Sequence, residues 1–274
     1  MLSPGQISAF LADGYVALPG AVPAGLARAC QDVVWSELGQ RGVRRDDPAT
    51  WTAPVVRIAC PEGGPFAEAG TRPAVQAACD QLIGPGRWRR RAGVGGTIPV
   101  RFPSEADPGD AGWHIDSSFP PEGAPTNNYF DWRINVRSKG RALLMLFLFS
   151  EIGERDAPTR IRVGSHFDIA RRLAPAGERG LSLRELAGQG FDDSTKRKEV
   201  LATGEAGTVY LCHPFLVHAA QPHRGTRPRL LAQPALETAQ PFSLDRPDGA
   251  YSPVEEAIRI GLGLREHCIL RVEK

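Results

Sequence analysis

The chain has 274 residues, of which 42% are hydrophobic and 23% charged, and 33 Lys and Arg nearly balance 31 Asp and Glu. A net charge of +2 offers no basic surface of the kind that nucleic acid or an anionic membrane requires. The composition is that of a globule with a real core, and the length suits one domain of the all-β or barrel type over 1–274.

The opening Met1-Leu2-Ser3-Pro4-Gly5-Gln6 has neither the basic nor the apolar region of a signal peptide. Ser3 and Gln6 instead show capping-box spacing, with Pro4 at the first helical position and Ile7, Phe10 and Leu11 at helical intervals. Gly14 stops that helix, Tyr15-Val16-Ala17-Leu18 reads as a strand, and Pro19-Gly20 as a turn. A second helix is expected from about Pro23 to Leu38, then a charged loop over 41–50 and an apolar strand from Pro54 to Cys60. Gly- and Pro-rich 61–70 leads into a helix from Arg72 to Ile83, closed by Gly84. Residues 1–86 therefore read as a mainly helical wrapper.

From Arg87 onward strand follows strand, expected near 87–92, 96–102, 112–116, 129–137, 141–149, 159–163, 198–203, 207–212, 215–220 and 228–234. Ala142 to Phe149 is uniformly apolar, which suits a strand buried on both faces. That run is far below the ~20 residues of a membrane helix. Short helices are expected at Ser165 to Leu173 and Leu181 to Ala187. Ser252 and Glu255 form another capping box, opening a helix to about Leu262 within a C-terminal extension, 236–274. Many short strands with helices at the ends predict a mainly β chain with peripheral helices. The expected core over 87–235 is a double-stranded β-helix, the cupin-like jelly roll. Five cysteines (Cys30, Cys60, Cys79, Cys212 and Cys268) lack any Cys-x-x-Cys spacing and read as reduced thiols of a soluble, cytoplasmic protein.

The chemistry centres on Trp113-His114-Ile115-Asp116. Residues i and i+2 of a strand share a face, so His114 and Asp116 can converge on one point. With one further His they form the facial triad of a non-haem Fe(II) site. The β-prone stretch Val209 to His218 supplies candidates in His213 and His218. These lie five apart, so on one unbroken strand they would face opposite sides, but Pro214 interrupts it. Arg229 follows His218 by 11 residues, across a turn with Pro222 and Gly225. A guanidinium just beyond a metal matches a dicarboxylate co-substrate, because its planar fork binds a carboxylate bidentately.

This arrangement resembles the phytanoyl-CoA hydroxylase-like family of Fe(II)/2-oxoglutarate-dependent dioxygenases, which includes ectoine hydroxylase. The resemblance covers most of the chain. It runs through Leu2-Ser3-Pro4-Gly5-Gln6, Asp13-Gly14-Tyr15 to Gly20, Gly112 to Asp116, Ala157-Pro158-Thr159-Arg160, Gly164-Ser165-His166 and His218 to Arg229. It implies that His114, Asp116 and His218 bind Fe(II) and that Arg229 receives the far carboxylate of 2-oxoglutarate. The implied reaction is hydroxylation of a small organic substrate by molecular oxygen, with 2-oxoglutarate decarboxylated to succinate. Asp116 stands where related halogenases carry Gly or Ala, which favours hydroxylation or desaturation. Arg101, 13 residues before His114, occupies a position where ectoine hydroxylase has a polar co-substrate contact. Two departures stand out: Ala220 replaces the usual Ser or Thr two residues after the distal His, and Thr208 stands where relatives often carry Asp.

Other features have blander readings. The turn Gly164-Ser165-His166 is a recurring family feature, so His166 is a structural residue or a neighbour of the metal site. His223 and His267 are expected to face solvent. Arg87-Trp88-Arg89-Arg90-Arg91 is a charged edge strand or an anchor for an acidic substrate group. Trp113 and Trp132 either wall a pocket or belong to the core. A monomer or homodimer is expected. The rival to an oxygenase is a non-catalytic jelly roll that holds a metal or ligand for structure or sensing. An acyl thioester, an amino acid and a secondary metabolite are equally compatible substrates.

Overall fold

The computed structural model describes residues 1–123 and 128–265. Ser3 accepts from the Gln6 amide while the Gln6 side chain returns to Ser3, so the expected capping box opens α1 (Pro4–Asp13), and Gly14 at φ 85° ends it. β1 (Tyr15–Leu18) follows, then α2 (Ala24–Gln40), which buries Ala27, Cys30, Val34 and Leu38. β2 (Val55–Ala59) precedes two helices, α3 (Pro65–Gly70) and α4 (Pro73–Ile83). The stretch 61–70 read as a loop because of its glycines and prolines. Yet Pro65 sits at the first helical position, where its missing N–H costs nothing.

The next strands are β3 (Thr97–Arg101), β4 (Arg133–Ile134), β5 (Leu143–Leu148) and β6 (Thr159–Arg162). After them come α5 (Ser165–Leu173), β7 (Leu181–Ser182) and α6 (Leu183–Gly188). β8 (Glu199–Ala202), β9 (Val209–Cys212), β10 (His218–Ala219), β11 (Leu231–Ala232) and β12 (Ala235–Leu236) lead to α7 (Pro253–Gly261). A capping box of Ser252 and Glu255 opens α7, as expected.

All strand pairs are antiparallel. The larger sheet runs β1-β9-β5-β11, with β12 also on β5, and a second runs β10-β6-β8. β2 pairs with β3, and bridges from Thr97 to Gln233 and Arg101 to Arg229 attach that hairpin beside β11. Alternation along β5 explains how the layers stack. Leu143, Met145 and Phe147 point into the core shared with the helices, among them Leu38, Phe66 and Leu82. Leu144, Leu146 and Leu148 point the other way, into a cluster with Ile161 of β6 and Ala202 of β8. β5 is thus buried on both faces, as its uniform apolarity predicts. Helices lie on one side of the large sheet and the small sheet on the other. Among the described residues, no helix is long and apolar enough to cross a membrane.

Several predicted strands turn out shorter or absent, among them 228–234, of which only Leu231–Ala232 is strand. Residues 87–92 form no strand, only a bridge from Trp88 to Thr238. Here side chains do the tying: Arg87 to Glu255 at 3.0 Å, Arg89 to Glu237 at 3.8 Å, Arg90 to Asp80 at 3.2 Å and Arg91 to Glu62 at 3.0 Å. The segment 112–116 is likewise no ladder, with a single bridge at His114. A 3-10 turn over Tyr129–Asp131 shortens 129–137 to the two residues of β4. Pro214 reduces 215–220 to β10, because the Leu216 amide turns back to the His213 carbonyl at 2.9 Å.

Candidate metal centre

His114 and His218 face one another as a reciprocally bonded antiparallel pair: each amide donates to the other's carbonyl at 2.9 Å. Side chains at directly opposed positions leave the sheet on the same side, and the two rings lie 4.4 Å apart. Each ring is oriented by its own chain. Nδ1 of His114 meets the Gly112 carbonyl at 2.9 Å, and Nδ1 of His218 meets the Leu216 carbonyl at 3.0 Å. A carbonyl can only accept, so both Nδ1 atoms carry the proton and both Nε2 atoms keep a lone pair. Burial, with His114 beside it, pushes His218 down to about 4, so its imidazole is neutral at pH 7.

Asp116 completes the cluster. One ligand atom from each of His114, Asp116 and His218 lies within 4.8 Å of the others. Asp116 Oδ1 is 4.0 Å from His114 Nε2, and Oδ2 is 3.3 Å from Nη1 of Arg141. Burial pushes the Asp116 carboxyl up, but Arg141, His218 and His114 more than offset this and hold it below its ordinary value. Two imidazole lone pairs and one carboxylate oxygen fit a first-row divalent metal such as iron. Arg141 has no counterpart in the sequence reading. Its one local signal is a cation placed directly before a long apolar run.

The cluster opens onto a cavity of about 490 Å³ lined by His114, His218, Arg101, Arg229, Thr159 and Tyr129, among others. Thr97, Pro99 and Arg101 reach it from alternate positions of β3, while Ile98 and Val100 face the core. Arg101 and Arg229 form a second reciprocally bonded pair, at 3.1 and 2.8 Å. Their circumstances differ. Arg101 donates to both oxygens of Asp110 at 2.7 Å, and Asp110 also pairs with Arg57. Arg229 is 1% exposed, and among the described residues its guanidinium donates only to the carbonyls of Ala157 (2.5 Å) and Pro99 (3.3 Å). Its Nε has no hydrogen-bond partner, and among the described residues it makes no salt bridge. Burial, with Arg101 alongside, pushes it down to about 9, which still leaves it charged at neutral pH.

Thr159 stands where the register of β6 on β10 carries the ladder to Ala220, since Ala219 faces Arg160. A hydroxyl thus lines the cavity opposite the alanine that lacks one. Tyr129 and Phe130 border the same space and stay 41% and 56% exposed.

The remaining candidates lie elsewhere. His166 and His213 are buried with their rings tilted against each other, centroids 4.9 Å apart, and neither belongs to the cluster. His223, expected in solvent, is buried, with Nε2 donating to the Arg227 carbonyl at 2.8 Å. His267 and Cys268 lie outside the described residues. Trp113 points away from the cavity, its ring 4.6 and 4.1 Å from the guanidinium carbons of Arg160 and Arg162. These two arginines hold the irregular 111–114 segment against β6, and Arg160 also donates to the carbonyls of Ala111 and Ala220. The Trp132 ring lies tilted against that of Tyr129, centroids 5.7 Å apart.

No protein-family model and no curated protein sequence matches the chain. Solved structures do. HygX from Streptomyces hygroscopicus with iron bound shares 17% identity over 87% of this chain and 88% of its own, with a TM-score of 0.54. The epimerase SnoN, in complex with Fe3+, alpha ketoglutarate and nogalamycin RO, shares 18% identity over 91% of each chain, with a TM-score of 0.57. AviO1 from Streptomyces viridochromogenes Tue57 shares 16% identity over 87% of this chain and 96% of its own, with a TM-score of 0.55. The chain therefore has the fold of these proteins, at an identity that establishes fold alone.

Proposed function

We propose that the chain is an Fe(II)/2-oxoglutarate-dependent oxygenase, a single domain built on a cupin-like jelly roll, that hydroxylates a small organic molecule. The observation that carries this reading is one cavity lined by both histidines of the His114, Asp116 and His218 cluster and by a buried Arg229 that pairs with no carboxylate among the described residues. Similar structures add support. HygX has been solved with nickel and 2-oxoglutarate, and with hygromycin B besides, while SnoN and SnoK are described as an alpha-ketoglutarate-dependent epimerase and carbocyclase. Bound iron with 2-oxoglutarate and oxygen supplies an oxidant able to take hydrogen from carbon, leaving succinate and carbon dioxide.

Each residue has a stated task in this reading. His114, Asp116 and His218 would hold the metal and leave part of its coordination sphere for co-substrate. Arg229 would pair with the far carboxylate of 2-oxoglutarate, with the Thr159 hydroxyl in place of the one missing at Ala220. Arg101, already engaged by Asp110, would set the charge of the wall and contact the co-substrate less directly. Tyr129 and Phe130 would cover an apolar face of the substrate. The buried fork of Arg229 argues against a purely structural metal site, because an unpaired buried cation is costly unless an anion answers it.

The test is succinate formation from 2-oxoglutarate on adding Fe(II), with and without oxygen. Oxygen-dependent succinate is expected even without substrate, by slow uncoupled turnover. A protein that binds Fe(II) and 2-oxoglutarate yet forms no succinate, alone or with a panel of small molecules, would be the non-catalytic jelly roll instead.

A further inference from the structure

We infer that Arg141 is a positioning residue that divides the two oxygens of Asp116, one for the metal and one for itself. The inference rests on the metal reading above and goes beyond it. Arg141 is 7% exposed, Nη1 lies 3.3 Å from Asp116 Oδ2, and Nη2 donates to the Ser117 carbonyl at 2.8 Å. The Tyr129 hydroxyl donates to the same carbonyl at 3.0 Å. The guanidinium therefore grips both the side chain of Asp116 and the backbone that follows it. Oδ1 is left on the side of the histidines, 4.0 Å from His114 Nε2.

The chain spends conformational energy to bring Arg141 there. Ser138 adopts φ 44°, unusual for a residue with a side chain, and its hydroxyl donates to the Arg141 carbonyl at 2.7 Å. Gly140 follows at φ 87°, and a Cβ there would lie 2.6 Å from the Ser118 carbonyl oxygen. Only glycine lets the start of β5 approach the 116–118 backbone this closely. The 112–116 segment has one bridge and no ladder, so backbone pairing alone does not aim the carboxylate. A freely turning carboxylate could bind a metal through both oxygens and occupy a position that a co-substrate needs. Pairing Oδ2 with a buried cation prevents this. Without the Asp116 carboxylate, Arg141 becomes a buried cation facing a void, which is a seat for a small anion.

Anaerobic Co2+ titration, followed by its visible spectrum, tests this without turnover. Arg141→Met should weaken Co2+ binding 10–100-fold, the usual cost of losing a group that orients a ligand, and shift the bands, with Arg141→Lys recovering part. Asp116→Ala should lose Co2+ and regain it with millimolar formate, whereas Asp116→Ala/Arg141→Met should gain nothing from formate. Wild-type affinity and spectrum in Arg141→Met would overturn the inference, as would equal formate rescue in the double variant. If Arg141→Met does not fold, Asp116→Ala decides alone, and absence of formate rescue overturns the inference. A wild-type protein that takes no Co2+ removes the metal reading itself, and this inference with it.

Discussion

The rings of His114 and His218 lie 4.4 Å apart and those of His166 and His213 lie 4.9 Å apart, so proximity alone does not distinguish the two pairs. The direction of their lone pairs does. In the first pair each Nδ1 is spent on a carbonyl two residues back, which leaves both Nε2 atoms facing Asp116 and a cavity. In the second pair, His213 Nδ1 accepts from the Phe215 amide at 3.1 Å and Nε2 donates to the Val254 carbonyl at 3.4 Å. His166 turns Nε2 to the Leu11 carbonyl at 3.2 Å. These rings bolt α1 and α7 to the turn before β10, among Phe10, Phe167 and Phe215. Two imidazoles can therefore touch without forming, among the described residues, a cluster that could hold a metal.

Mutating one member of each pair breaks this contrast most directly. His218→Ala should reduce Fe(II)-dependent 2-oxoglutarate turnover to background and abolish Co2+ binding while the thermal transition stays cooperative. His213→Ala should do the reverse. It orphans the Phe215 amide and Val254 carbonyl, costing about 1–3 kcal/mol per buried group left unpaired, and metal binding should survive. Retained metal in His218→Ala, or its loss in a folded His213→Ala, would reverse the assignment.

The same distinction between engaged and open polar groups applies to the arginines. Among the described residues Arg229 pairs with no carboxylate, so Arg229→Ala should weaken 2-oxoglutarate binding by about 2–4 kcal/mol, the scale of removing one partner from a buried charge pair. Metal affinity should not change, and Arg229→Lys should recover only part, because the fork is gone. Isothermal titration of 2-oxoglutarate into the metal-loaded protein measures both.

Acid provides a finer probe of the buried pair. Burial, with His166 beside it, holds His213 well below its ordinary value of 6.5, so the folded protein keeps it neutral. Below about pH 6.5 the unfolded chain takes up a proton that the folded chain refuses. The stability from this residue is thus complete above that pH and declines as pH falls, by at most about 1.4 kcal/mol per pH unit. Denaturant midpoints between pH 7 and 5 should fall with acid in the wild type, with His218 and His223 adding to the slope, and fall less steeply in His213→Gln. The smallest effect is expected at Arg227, which is exposed and paired with Glu151 at 2.9 Å. Arg227→Ala should change 2-oxoglutarate affinity by less than about 0.5 kcal/mol.

The contrast also shows what the sequence could and could not convey. That His114, Asp116 and His218 come together was legible from their intervals, and the capping boxes and the apolar β5 were legible because their cause is local. Strand parity could not choose between His213 and His218. The turn at Pro214 decides, by releasing His218 into a fresh pairing with Ile161. Arg141 was invisible because what matters about it is a contact with Asp116 across a tight turn. Thr159 was missed because its place opposite Ala220 is a matter of register. The run from Arg87 to Arg91 misread as a strand because charge pairs to Glu255, Asp80 and Glu62 leave the same hydrophilic imprint as an exposed edge.

The pairing of β1 with β9 bears on how the molecule assembles. Tyr15 faces Cys212 and Leu18 faces Val209, and β9 in turn lies between β1 and β5. β1 therefore leaves the ribosome well before β9 and waits for it before it gains a strand neighbour. Closure of so long a loop precedes any reward from the contact, which makes folding slow and places it late in synthesis. Until then the apolar face of α1 and β1 stays uncovered, and a nascent chain truncated before residue 209 should be held by chaperones or aggregate.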